Sequence, residues 1–465
     1  MTNTWSPFRQ PTPKPNRPSH HTNNNRTSFR NPWPSASAPT WSELIQSSFP
    51  LSLYSNLSKT YPDIQDVKVV DPDWGKEELK ARGLDGDGER DECIFGTTLG
   101  HAGVMVQVPL EGTMRARAGD EGGEKGEAKG KGKERLWVVF DPIFSARAGP
   151  TQYTGPGRLR RAPCQVEDFP GCDVVVISHN HYDHLDLPTI QAILNKFPKA
   201  RYFVPLGNKS WLANLGVSKE LIIELDWWDE REFSLQDFGY SYVDSESTEK
   251  GRSQDTKIKF TCVPAQHSSA RSPLDQGNTL WCGWVVEQLL VSKGTSSDPD
   301  PTSSSTEAKA SPSTQIRRKG TIYHAGDTGY RPLSTSSTTC PIFLTIGQKF
   351  APIDLSFLPI WRGGSLSFFS TLGLRLSHKD IPSALHASPA DAMDIHADVG
   401  SRNSVGVHFG TFVGSENESL EPVLEFEEAR IGRGVRSLRD EVKEGETRAG
   451  VVDIGGSVAV RIGGD

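Results

Sequence analysis

The sequence predicts a mixed α/β domain in which two sheets are covered by helices, and three observations carry that expectation. Short β-branched apolar runs recur along the chain, among them VMVQVPL, LWVVFDPIF, VVVIS, KIKFTCV and WCGWVVEQLLV. Segments with helix-start signals lie between them, such as Leu187 to Phe197 and Pro389 to Asp398. Strands dominate while helices are interspersed, which is the pattern of helices laid on sheets.

At 465 residues the chain can bury a sizeable core as one large domain or two ordinary ones. Its first 66 residues read as a disordered N-terminal arm with a short helix. The arm is rich in Ser, Asn and Pro, carries Arg9, Lys14, Arg17, Arg26 and Arg30, and has no acid before Glu43. That bias is weakly like an organelle transit peptide, mitochondrial for instance, but the prolines would break the amphipathic helix such a peptide needs. A disordered tail over residues 1 to about 40 is the favoured reading. Helical spacing from Trp41 to about Leu57 follows, with Thr40 as its N-cap. The globular domain is expected over 67–465, with surface insertions near 111–135 and 292–320. Both insertions are glycine-, serine- and charge-rich and sit between β-like segments, so each reads as an elongated hairpin loop inside one domain.

The formal net charge of −7 argues against a nucleic-acid binder, which would carry a basic stripe. Six cysteines form no CxxC pair and read as reduced and mostly buried. No window reaches the roughly 18 to 20 consecutive apolar residues of a membrane-spanning helix. The expected setting is intracellular, soluble or peripheral to a membrane.

The chemistry concentrates in VVVISHNHYDHLD, Val174 to Asp186, a β-branched run feeding a polar loop that opens a helix at Leu187-Pro188. His179, His181, Asp183 and His184 are thereby presented at a strand end. Imidazole and carboxylate are ligands for borderline ions such as Zn²⁺, and four of them in six positions exceed what a satisfied surface or core histidine would explain. Three partners also end β-like segments: His267 in PAQHSS, Asp327 in HAGDTG and His408 in VGVHFGTF. A carboxylate between two ions can bridge them, and two-metal sites hold their ions roughly 3.5 to 4 Å apart. The expected sets are His179, His181 and His267 with Asp327 for one ion, and Asp183, His184 and His408 with Asp327 for the other.

This order of ligands resembles the metallo-β-lactamase superfamily. Within it, FDPIFSARAGPTQYTGPGRLRRAPC, ISHNHYDHLD, YFVPLG, ELDWW, AGDTGY, IGQKFAPIDLSFLPI and HFGTF, with NPW at Asn31 to Trp33, look like the N-acylphosphatidylethanolamine-hydrolysing phospholipase D family. The resemblance implies an αβ/βα sandwich of two mixed sheets flanked by helices and two Zn²⁺ ions. It also implies a homodimer and a phospholipid substrate at a membrane surface, cleaved to an N-acylethanolamine and phosphatidic acid. Another phosphodiester or a lactone is the alternative substrate. By resemblance, His386 in LHASPADA contacts the substrate phosphate or assists the leaving group, and with Asp327 it forms the expected catalytic pair. The stretch from Trp361 to Asp380 departs from the family's shorter loop.

Other residues are weighed against plainer roles. Asp141 in VVFDP is expected behind a ligand histidine, with an ordinary turn aspartate as the competing reading. His101 in LGHAGV is expected to support the fold. Arg147, taken as substrate-binding, and Arg158, Arg160 and Arg161 could meet anionic head groups. Trp227 and Trp228 read as core or interface aromatics. Phe368, Phe369, Leu372 and Leu374 form an apolar stripe whose simplest fate is burial.

Overall fold

The computed structural model describes residues 18–46, 52–53, 66–84, 92–110, 114–115, 135–242, 254–293, 314–362, 374–375, 381–441 and 443–462. In chain order the main elements are α1 (Trp41–Gln46), α2 (Lys76–Ala81), β1 (Cys93–Gly100), β2 (Gly103–Pro109), β3 (Arg135–Phe140) and β4 (Val174–Val176). There follow α3 (Leu187–Lys196), β5 (Arg201–Pro205), α4 (Lys209–Asn214), β6 (Ile222–Leu225), β7 (Glu230–Ser234), β8 (Gln254–Val263), β9 (Gly283–Lys293) and β10 (Thr314–His324). The chain ends with α5 (Ile342–Phe350), β11 (Leu355–Pro359), α6 (Pro389–Asp398), β12 (Asn403–Val407), α7 (Glu416–Gly432), β13 (Arg436–Ser437), β14 (Arg448–Gly450) and β15 (Ser457–Arg461).

A seven-stranded sheet runs β15-β1-β2-β3-β4-β5-β6, and an eight-stranded sheet runs β13-β14-β12-β11-β10-β9-β8-β7. Both are mixed: β3 to β6 are parallel neighbours, as are β10, β11, β12 and β14, while the remaining long strands pair antiparallel. Alternation along each strand explains the continuous apolar runs. Val138, Phe140, Val174 and Val176 face the inter-sheet core with Phe260, Trp284, Ile322 and Phe357. Val139 and Val175 face outward onto Ile190, Ile193 and Leu212 of α3 and α4. On the other side Val285 and Tyr323 meet Phe343 and Ile346 of α5 and Met393 and Ile395 of α6. Helices therefore cover both sheets, and strands buried on both faces lose the polar alternation of a solvent-facing sheet.

Helix starts follow their sequence signals. Ser388 caps α6 by accepting from the Asp391 N–H at 3.1 Å, and Thr40 Oγ1 accepts from the Glu43 N–H at 3.3 Å. The helix after Thr40 covers Trp41–Gln46, Ser52–Leu53 within the expected span is strand, and the rest of that span lies outside the described residues. All six cysteines are free and buried.

The arm departs from expectation. Residues 18–46 are not a disordered tail: His20 and His21 each donate from Nε2 to a different oxygen of Asp226, both at 2.8 Å. Phe29 is buried in the inter-sheet core, and Trp33 stacks on Trp227 with ring centres 5.4 Å apart. Polar composition hid this because the arm's partners lie some 200 residues away in sequence. Residues 1–17 lie outside the described residues. Phe29→Ala is expected to cost about 3 to 5 kcal/mol, the range for emptying a buried aromatic site, as read from urea unfolding. A change below about 1 kcal/mol would mean the arm does not share the core.

The two insertions also differ in extent. β9 runs to Lys293 and β10 begins at Thr314, pairing antiparallel throughout, so residues 292–293 and 314–320 are strand where loop was expected. Met114–Arg115 pairs with Ser241–Tyr242, and β2 pairs directly with β3. Both insertions therefore interrupt hairpins of one domain. Phe368, Phe369 and Leu372 lie outside the described residues, and Leu374 pairs with Leu53.

Candidate metal centre

Strands that run in a common direction deliver their C-terminal ends to one edge of the sandwich. β3 is followed by Asp141, β4 by His179 to His184, β8 by His267, β10 by Asp327 and β12 by His408. His101 enters from the β1–β2 turn. The GDTG turn fits because Gly326 adopts φ +59° with a Cβ position only 2.6 Å from Ser178 Cβ, which no side chain would tolerate.

His179, His181 and His267 form one group. His181 Nδ1 lies 2.8 Å from His179 Nε2 and 3.2 Å from His267 Nε2. His267 Nδ1 donates to the Leu385 carbonyl at 2.9 Å, which leaves the Nε2 lone pair facing the group. Asp183, His184 and His408 form the second, with both histidine Nε2 atoms 3.7 Å from Asp183 Oδ2. Between them stands Asp327. Its Oδ2 is 3.1 Å from His408 Nε2, 3.3 Å from His184 Nε2, 3.6 Å from His267 Nε2 and 3.9 Å from His179 Nε2. All seven expected ligands converge.

The donor set fits metal ions. His184 Nε2, both nitrogens of His408 and Asp327 Oδ1 are buried without a hydrogen-bond partner, although a buried polar atom is normally satisfied. Burial would raise the carboxyl of Asp327, but the imidazoles of His184 and His408 outweigh it and hold the group well below the usual carboxylate range. Burial and the neighbouring His184 and His181 push His179 well below the ordinary imidazole value. An anionic carboxylate ringed by imidazoles from two groups is a cation site.

Asp141 stands behind the ligands as expected. Its carboxylate accepts from His184 Nδ1 at 2.8 Å, from the Ser178 N–H at 2.7 Å and from Ser178 Oγ at 2.5 Å. Ser178 Oγ also lies 2.9 Å from His179 Nδ1, so one aspartate fixes a ligand of each group. Ser178 carried no sequence signal of its own. His101 does more than support the fold: its buried Nε2 sits 2.8 Å from Asp183 Oδ2. Asp141, His101 and His408 take φ of +40°, +55° and +60°, a left-handed region costly for residues with side chains. Three of the six non-glycine residues with positive φ among the described residues thus lie at this edge. Ser178→Ala is expected to weaken metal affinity by about 10- to 100-fold, measured by competition with a chromophoric chelator; unchanged affinity would remove Ser178 from the centre.

His386 reaches the same centre. Its Nδ1, without a hydrogen-bond partner, lies 3.8 Å from Asp327 Oδ2, and its ring centre is 5.0 Å from that of His267. Trp361, missed by sequence reasoning, packs 5.8 Å from the His408 ring with a buried, unpartnered indole N–H.

A family model described as Beta-lactamase superfamily domain matches residues 136–296. Over 334 residues the chain is 30% identical to N-acyl-phosphatidylethanolamine-hydrolyzing phospholipase D 1 of Caenorhabditis elegans, covering 71% of this chain and 67% of that protein. The chain belongs to the N-acylphosphatidylethanolamine-hydrolysing phospholipase D family. Its fold is the metallo-β-lactamase sandwich, and it is a metal-dependent hydrolase by that membership. The mitochondrial N-acyl-phosphatidylethanolamine-hydrolyzing phospholipase D of Saccharomyces cerevisiae is 27% identical over 288 residues, the match covering 62% of this chain and 46% of that protein. A solved structure, the metallo hydrolase Igni18 of Ignicoccus hospitalis, aligns over 79% of this chain and 98% of its own at 16% identity, with a TM-score of 0.38.

The arginines of this family member are mostly committed elsewhere. Arg160 pairs with Asp66 and with Glu416, and Arg161 pairs with Asp71 at 2.8 Å. Arg158 donates to the carbonyls of Ser145 and Ile143 and lies over the Phe412 ring. Arg147 donates to the Gly155 carbonyl at 2.9 Å, bracing its own loop. The expectation that these residues face lipid is corrected for Arg158 and Arg160, whose side chains serve the fold. Trp227 is a core aromatic as expected. No helix among the described residues is long and apolar enough to cross a membrane.

Proposed function

We propose that this protein is a zinc-dependent phosphodiesterase of the phospholipase D type. It hydrolyses N-acylphosphatidylethanolamine at a membrane surface to N-acylethanolamine and phosphatidic acid. One observation carries the two-ion reading: a single oxygen of Asp327 lies within 3.1 to 3.9 Å of histidine nitrogens from both ligand groups. Five imidazoles and two carboxylates favour a borderline ion such as Zn²⁺. His179, His181 and His267 would hold one ion and Asp183, His184 and His408 the other, with Asp327 shared. When bound, such a pair supplies an activated water and neutralises charge on the phosphoryl oxygens. The substrate class follows the named relative.

The chain's own groups do the rest. Asp141 and Ser178 fix the ring orientations of His184 and His179, and His101 holds Asp183. His386 contacts the phosphate or assists the departing alkoxide from the rim. The side chains of Ile143, Ala148 and Phe412 pack as one cluster against Tyr182 of the HxHxDH loop. A peripheral membrane location, mitochondrial as in the yeast relative's name, and a homodimeric assembly belong to this reading.

The test is product analysis with purified, metal-analysed full-length protein and N-acylphosphatidylethanolamine in mixed micelles, with and without chelator. Chelator-sensitive release of N-acylethanolamine and phosphatidic acid is expected. Two bound metals with no such products would overturn the substrate and move the search to other phosphodiesters or lactones.

A further inference from the structure

The ordered arm does not stop at the core; it reaches the wall of the metal centre. Asn31 Nδ2 donates to the carbonyl of His267 at 2.7 Å. Four residues on, Ser35 Oγ donates to Gln266 Oε1 at 2.5 Å, and Gln266 Nε2 donates back to the Ser35 carbonyl at 3.2 Å. Ser35 and Gln266 are both fully buried.

Gln266 is also where three of the centre's loops meet, those of His267, Asp327 and His386. Its Nε2 donates to the Ala384 carbonyl at 2.7 Å, two residues before His386. Its backbone N–H donates to Thr328 Oγ1 at 2.9 Å, and its carbonyl accepts from Gly329 N at 2.7 Å, beside Asp327. The Asp327 and His386 loops are themselves in backbone contact: the Ala387 N–H donates to the Thr328 carbonyl at 2.7 Å, and a Cβ on Gly329 would stand 2.0 Å from the Ala384 oxygen. The far end of the arm is anchored independently, by His20 and His21 on Asp226 and by the Phe29 N–H on the Gly277 carbonyl at 2.8 Å.

We propose that Asn31, Ser35 and Gln266 are positioning residues through which the arm sets His267, Asp327 and His386 relative to one another, so that the N-terminal segment is part of the catalytic apparatus. The two amide side chains are suited to this because each satisfies backbone carbonyls that would otherwise be free to shift, and buried hydrogen-bond networks of this kind admit few alternative arrangements. Proteolytic processing that spares residues 18–36 leaves the centre intact, whereas processing beyond residue 36 releases the His267 and His386 loops.

This inference rests on the two-metal reading, and its test is readable without the lipid substrate. Gln266→Met, which keeps length and burial but removes the side-chain hydrogen bonds, and Ser35→Ala are compared with wild type and with Ser35→Thr, which retains the hydroxyl. Each full-length protein is loaded with Co²⁺, and its visible d–d spectrum, metal stoichiometry, thermal midpoint and kcat and KM on a chromogenic phosphodiester are recorded. Gln266→Met and Ser35→Ala are expected to change the Co²⁺ bands and to lower kcat by about 10- to 100-fold, with a smaller change in KM, at unchanged stoichiometry. Ser35→Thr is expected to retain the wild-type bands. Wild-type Co²⁺ bands in both Gln266→Met and Ser35→Ala, with activity falling only in step with thermal stability, would overturn the proposal and leave the arm a purely structural strap. A wild-type protein inert toward N-acylphosphatidylethanolamine would overturn the proposed substrate but not this inference, because the spectra report the centre directly.

Discussion

Asp327→Asn is expected to abolish two-metal occupancy and to lower phosphodiester turnover by roughly 10³-fold or more, since each lost 1.36 kcal/mol of transition-state stabilisation is a factor of ten and paired ions supply several. The effect is large because Asp327 contributes to both groups. Its Oδ2 lies between His408 Nε2 at 3.1 Å and His267 Nε2 at 3.6 Å, one from each proposed set. Asparagine keeps the size but replaces the anion with a neutral amide, removing charge where two cations would meet. Metal analysis beside activity is the check. A variant that keeps two metals per chain and wild-type turnover would show that Asp327 does not bridge.

Metal removal is expected to destabilise the protein, and by more at pH 9 than at pH 6.5. In the metal-free cluster burial opposes charge on His408, but Asp327 and Asp183 outweigh it and raise the imidazole to about 9. Burial likewise opposes charge on His184, and Asp327, Asp183 and Asp141 raise it well above the ordinary value. A group with a raised folded pKa contributes stability that is complete below its unfolded value, about 6.5, and is lost as pH rises through the folded value. For His408 that loss spans the interval up to about 9 and amounts to about 3 kcal/mol.

The other members act in different windows. Burial lowers His179, His181 and His267, so these disfavour the folded state only as pH falls below about 6.5. Asp183 and Asp327, held low against burial by their histidine neighbours, contribute stability above the unfolded carboxylate range that is lost on stronger acidification. As pH rises from 6.5 through about 9 the metal-free protein therefore loses the His408 imidazolium charge that helps balance its buried carboxylates, while bound cations supply that charge in the loaded protein. Thermal unfolding with and without chelator at both pH values decides the matter. A chelator shift equal or smaller at pH 9 would contradict this charge balance.

The chemistry of the centre was legible because it is local. HxHxDH packs four ligands into one loop after a β-branched strand, and His267, Asp327 and His408 each follow an apolar run, so the convergence of all seven required only that the ends of strands running in a common direction share an edge. Asp141 was legible for the same reason. What escaped the sequence is set by pairings between distant segments. Ser178 looks like any serine until its hydroxyl is seen between Asp141 and His179. His101 looked like scaffolding because its partner, Asp183, is 82 residues away. The arm looked disordered because proline and asparagine dominate its composition, yet His20, His21, Phe29, Asn31, Trp33 and Ser35 all engage the globular domain. Arg160 looked available for lipid because nothing in sequence reveals Asp66 and Glu416 beside it.

The two inserted segments leave the sandwich from the rim opposite the metals. β2 starts beside His101 and ends at Pro109, and β3 starts at Arg135 and runs back toward Asp141; β9 ends at Lys293, and β10 starts at Thr314 and runs back toward Asp327. Chain length can therefore grow or shrink at that rim without displacing a ligand, because each flanking hairpin is zipped by its own backbone hydrogen bonds before the ligand-bearing end is reached. The molecule thus carries two natural splice points. A reporter domain or affinity handle placed between residues 294 and 313 would travel as cargo on a hairpin, separated by the length of β10 from the chemistry it reports on.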